Sequence, residues 1–183
     1  MKKLIAATAL SLTQLLTPAQ AEEQAQAQAP KTVTTEQVAR EIRTNTQYLS
    51  RHALRKAKAL MEAYGDFAPF GAGLLPNGDV KYVWAVKPGE EIENINAPLV
   101  LDAIRRALAT QADSGRILGS AVIYQYKGDE QPQINIELEY LTGFAQILAT
   151  RYRESDAGIE YGEGVTGTFD AMIFVENREN SAN

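Results

Sequence analysis

The chain has 183 residues, with 18 Lys+Arg against 23 Asp+Glu for a net charge of −5, one His and no Cys. That balance repels nucleic acid and anionic membrane surface. It also excludes a disulfide scaffold and any Cys- or multi-His metal centre.

Residues 1–21 read as an export signal. Lys2 and Lys3 precede an apolar run from Leu4 to Leu16, Pro18 breaks it, and Ala19-Gln20-Ala21 has the small-x-small form of a cleavage site. Cleavage after Ala21 would leave 162 residues, one domain's worth. Loss of Lys2 and Lys3 takes Lys+Arg to 16 against 23 acids, a net −7. The expected destination is the periplasm or the medium, with no membrane span after cleavage. Residues 22–33 alternate Gln with Ala and read as a flexible tether. One domain is expected over 34–176, and a polar tail over 177–183.

A first helix is predicted from Thr34 or Thr35, where Thr34 and Gln37 resemble a capping box, to Gly65. Val38, Ile42, Leu49, Ala53, Ala57, Leu60, Met61 and Tyr64 give it an apolar face. A hairpin follows, with arms 67–75 and 80–87 around Pro76-Asn77-Gly78-Asp79. Asn96-Ala97-Pro98 opens a second helix that runs to about Ala112. Strands are expected over 117–126, around 134–140, over 144–152 and over 169–175, with 153–167 as a Gly-rich loop. In the 134–140 strand, Ile134, Ile136, Leu138 and Tyr140 alternate with Asn135, Glu137 and Glu139, which reads as one buried and one wet face. The expected fold is α+β, in the order α-β-β-α-β-β-β-β. It would be a mainly antiparallel sheet of five to six strands with both helices on one face. That element order is similar to profilin-like and roadblock-like small domains.

Three segments carry a further resemblance. They are Tyr64-Gly65-Asp66-Phe67-Ala68-Pro69-Phe70-Gly71-Ala72; Glu137-Leu138-Glu139-Tyr140 with Gly143 and Ala145; and Tyr152-Arg153 followed by Ile159-Glu160-Tyr161-Gly162-Glu163 and Ile173-Phe174. In this order they resemble a family of short bacterial proteins to which no activity is attached. The chain departs from the family pattern at Tyr140, where the family has His, and at Arg151, where it has Pro. The resemblance implies the fold and no site residue.

No cofactor or metal motif is present. His52 stands alone among Arg51, Arg55, Lys56 and Lys58 on a helix face. Glu90, Glu91 and Glu93 lack the spacing of a calcium loop. Gly65, Phe67, Phe70 and Gly71 form the most distinctive segment, because small residues beside aromatics allow close approach of a ligand. Glu160, Tyr161 and Glu163 on the 153–167 segment offer an acidic contact surface with an aromatic anchor. Together they point to a non-enzymatic binding domain for a basic protein partner, of immunity or inhibitor type. The competing expectation is a small-ligand or enzymatic pocket built on Glu137 and Glu139, with Tyr140 beside them.

Overall fold

The computed structural model describes residues 33–128 and 131–175. The signal over 1–21, the tether apart from Val33, and the polar tail over 177–183 lie outside the described residues. Within them the protein is α+β: two helices and a six-stranded antiparallel sheet in the order α-β-β-α-β-β-β-β.

Helix α1 spans Thr35–Tyr64 and ends where the Gly65 N–H donates to the Met61 carbonyl at 2.8 Å, with Gly65 at φ +77°. Strands β1 (Phe70–Leu74) and β2 (Val80–Trp84) form the expected hairpin. Its turn is held by Asn77 and Asp79, whose side chains bond at 2.8 Å, with Gly78 at φ +88°. Helix α2 (Ala97–Asp113) is capped by Asn96, whose side chain accepts from the Leu99 N–H at 3.1 Å. Strands β3 (Gly119–Tyr126), β4 (Gln133–Tyr140), β5 (Phe144–Ser155) and β6 (Gly158–Gly167) complete a sheet ordered β2-β1-β3-β4-β5-β6.

The expectation that both helices share one face is corrected by the core. Leu49, Ala53, Ala57, Leu60 and Met61 of α1 pack with Phe70, Ala72 and Leu74, Ala121 and Ile123, and Ile134, Ile136 and Leu138. Ile104 and Leu108 of α2 pack instead with Ile117, Val122 and Ile173. Because strand side chains alternate, Ile123 and Val122 point to opposite faces. The helices therefore sandwich the sheet. The physical reason is that β1 and β3 are apolar or small on both faces, so each face needs a cover.

The α1 face curls around its helix. Lys56 lies 6.0 Å and 5.7 Å from the ring centroids of Tyr82 and Trp84 on β2, and Lys58 lies 4.1 Å from the Tyr161 ring on β6. One helix thus reaches both edge strands. The basic run on α1 is only partly a solvated face, since two of its lysines lie against aromatic rings.

On the other face, Gly71 and Gly73 let α2 and the β3 approach sink into β1. A Cβ at Gly71 would meet Ile104 and Leu108 at 2.9 Å, and one at Gly73 would meet Ile117 at 2.8 Å. The close approach expected of a ligand here is made by the protein's own side chains. Gly71→Val is expected to destabilise the fold by about 2 kcal/mol through overpacking. Urea denaturation checks this, with Gly78→Ala tracing a different cause, positive φ in open space.

The C-terminal part differs from expectation. Residues 153–167 are not a loop: β5 runs to Ser155 and pairs with β6, Glu154 facing Ile159 and Tyr152 facing Tyr161. Ile159 and Tyr161 alternate with Glu160, a strand pattern hidden by Gly158, Gly162, Gly164 and Gly167. The register shifts between Thr150 and Tyr152, so Gly162 and Glu163 stand opposite Arg151. This bulge and the Glu163 carboxylate interrupt the outer edge of β6, a common protection against edge-to-edge pairing. The strand expected over 169–175 is absent. Residues 168–175 instead cross the α2 face of the sheet without regular structure, with Ile173 buried there.

Candidate functional site

Glu137 and Glu139 point away from α1, as the alternation requires, but they are not wet. Glu139 is 2% exposed. Its carboxylate accepts three consecutive backbone N–H groups, from Met172 at 2.9 Å, Ile173 at 2.8 Å and Phe174 at 2.9 Å. It thereby anchors the 168–175 segment to the sheet. Glu137 accepts a two-pronged bond from Arg105 of α2, at 2.8 Å to Oε1 and 3.2 Å from Nε to Oε2, and a bond from the Tyr124 hydroxyl at 3.2 Å. It anchors the helix. Both carboxylates are committed to structure. Tyr140, on the α1 face, donates to Glu41 at 3.2 Å and accepts from Asn45 at 2.8 Å. Arg105 was not singled out in the sequence; its only signal is its place beside Leu101, Ile104 and Leu108 on the buried flank of α2.

The predicted binding residues separate into two groups. Phe67, Phe70 and Gly71 are buried, and Gly65 is exposed at the helix end. Phe70 stacks on Trp84 with ring centroids 4.7 Å apart and meets Phe67 edge-on at 5.5 Å. Glu160 and Glu163 are exposed, Glu160 paired with Arg153, and Tyr161 is half-buried between Lys58 and Tyr152. A polar relay joins the two groups across the sheet. Gln125 accepts from the Phe67 N–H at 3.3 Å and donates to the Tyr152 hydroxyl at 3.0 Å. Beside it, Lys127 and Asp66 pair at 2.8 Å. The two segments lie at the same end of the sheet but on opposite flanks, not in one patch.

A cleft of about 370 Å³ opens where α1 ends. Its walls are Tyr64, Phe67 and Trp84 on one side and the 87–93 loop on the other, which brings in Glu90, Glu91 and Glu93. Gly89, at φ +83°, carries the loop past the Tyr64 ring, where a Cβ would sit 3.3 Å from Cε1. Glu90 is committed to the Lys87 N–H at 3.0 Å. Glu91 and Glu93 are exposed and hold no partner among the described residues. Aromatic rings beside free carboxylates suit a cation. The molecule already uses this chemistry on the same indole, where Lys56 sits.

Among the described residues no group of acids and His could hold a metal ion, and no helix is long and apolar enough to cross a membrane. Comparisons with protein-family models, with curated proteins and with solved structures give no match for this chain.

Shifted proton affinities bear on stability. Burial raises the phenols of Tyr82, Tyr124, Tyr140, Tyr152 and Tyr161 above their usual 10.0, and at Tyr124 the Glu137 carboxylate adds to it. Lys127 is raised too, first by its hydrogen bond to Asp66. A group whose folded pKa exceeds its unfolded value stabilises fully below the unfolded value and stops doing so as pH climbs through the folded one. All six therefore act in the same direction. The denaturation midpoint is expected to be insensitive to these groups at neutral pH and to fall steeply above about pH 10. Phenolate absorbance should then rise together with unfolding, not ahead of it.

Proposed function

We propose that this chain is an exported, non-enzymatic binding domain that seats a cationic side chain of a basic protein partner in the cleft between Tyr64, Trp84 and the Glu91–Glu93 loop. An immunity or inhibitor protein acting in the periplasm is the concrete form. The supporting observation is the contrast between the carboxylates. Glu137 and Glu139 are fully engaged inside the fold, while Glu91 and Glu93 are uncommitted beside an aromatic wall. An Arg or Lys entering the cleft would exchange water for the exposed Tyr64 ring and two carboxylates, with Trp84 beside it, the kind of anchor that dominates an interface. The acidic balance of the whole chain would speed the encounter with a basic surface.

Chemistry on Glu137 or Glu139 is disfavoured. Using either as an acid or base would require breaking the bonds that hold α2 or the 168–175 segment.

The expected result is a basic protein that co-purifies stoichiometrically from the periplasm at low salt and is released as salt rises. The variant Glu91→Gln/Glu93→Gln should lose it without losing its cooperative thermal transition, because both positions are exposed. A partner retained equally by the double variant would remove the cleft from the account.

A further inference from the structure

A second concavity has the opposite chemistry. Because β1 carries only Gly71 and Gly73 on the α2 face, the helix sinks toward it. Between α2 and the outer strand β2 this leaves a half-open groove of about 580 Å³. Leu75, Val83, Ala107 and Leu108 line it, and Lys81 and Arg116 stand in its wall, with no carboxylate among its lining residues. Neither cation is in an ion pair. The Lys81 ammonium has no partner among the described residues, and the Arg116 guanidinium has only a 3.5 Å contact to Gln111 Oε1. Two uncommitted cations beside an apolar trough invert the local sign of an acidic chain.

We propose that this groove binds a monomeric carboxylate amphiphile of the fatty-acid type, with its carboxylate between Lys81 and Arg116 and its aliphatic body along Leu75, Val83 and Leu108. The volume lies within the roughly 300–1,000 Å³ of small-molecule sites, and such sites are apolar with a few placed polar groups. Charge complementarity selects the anion, and the apolar wall selects the chain. The groove and the cleft have different linings apart from the shared strand β2, so the proposal stands apart from the partner reading.

The test titrates the protein with decanoate, decylamine and decanol, each below its aggregation concentration, and follows the backbone amide resonances of Gly73, Val83 and Ala107. Decanoate is expected to shift them saturably and to bind at least about tenfold more tightly than decylamine. Lys81→Glu/Arg116→Glu is expected to reverse that order, which no merely structural role of these exposed residues would do. If the double variant loses its cooperative transition, Lys81→Glu alone should move the preference the same way. Ala107→Trp should block all three ligands by filling the groove. Equal affinity for decanoate and decylamine, an order unchanged by charge reversal, or binding only as micelles would overturn the proposal.

Discussion

Glu139→Gln is expected to destabilise the protein by about 3 kcal/mol, a large loss for an isosteric change. Three backbone N–H groups converge on the Glu139 carboxylate, two of them on Oε2. Gln keeps one acceptor and turns an N–H₂ donor against the N–H groups left over. Ile173 is buried and Phe174 half-buried, only Met172 is exposed, and residues 168–175 have no strand pairing to fall back on. The midpoint of thermal unfolding should fall by roughly 10 °C for a domain of this size. Hydrogen exchange should locate the damage. The amides of Met172, Ile173 and Phe174 should lose protection first, while β3 and β4 keep theirs until global unfolding. Loss of protection spread evenly over the sheet would mean that the carboxylate does not act as the anchor of this segment.

Arg105→Met is the second large effect, about 3 kcal/mol, because it leaves the Glu137 carboxylate without its cation in a site where that side chain is 9% exposed. The Tyr124 hydroxyl still donates to it, and the second acid near Arg105, Asp102 at 3.9 Å, is solvent-exposed and gains nothing. The informative variant is the double one. Arg105→Met/Glu137→Leu removes both charges and fills similar volume, so it is expected to recover most of the lost stability or exceed the parent. A double-mutant cycle by urea denaturation gives the coupling. Additive losses would show that the pair is not a unit and that α2 is held by Ile104 and Leu108 alone.

The order of the first seven elements was legible because local signals were strong: the Asn96 cap with Pro98, the Asn77-Gly78 turn, and the seven-residue and shorter spacings of α1. The placement of the helices was legible in principle. Ala121-Val122-Ile123 is apolar without alternation, which signals burial on both faces. The same logic failed on β4, where a clean alternation of Ile and Leu with Asn and Glu describes a wet face. Those acids are buried because of partners that lie 32 to 35 residues away in sequence. No period of two can announce a distant Arg or a run of free N–H groups. Strand β6 was hidden for a different reason. Its glycines suppress strand propensity, and what holds it is pairing with β5 and the contact of Tyr161 with Lys58 on α1.

The candidate site was half legible. Tyr64 to Phe70 stood out as a segment, yet its phenylalanines serve the core, and the glycine beside them serves the packing of α2. Glu90, Glu91 and Glu93 were visible as an acidic run without the spacing of any metal loop. Only the fold places that run against Tyr64 and Trp84, because β2 ends beside the last turn of α1.

Trp84 is the chain's single tryptophan and lines the cleft, so its emission reports directly on occupancy. Titration with a hexa-arginine peptide at low salt should change that emission saturably, with hexa-glutamate producing no change and Glu91→Gln/Glu93→Gln abolishing the response to arginine. An emission indifferent to the arginine peptide, or a response that survives the loss of both carboxylates, would contradict the assignment of this cleft as a cation seat.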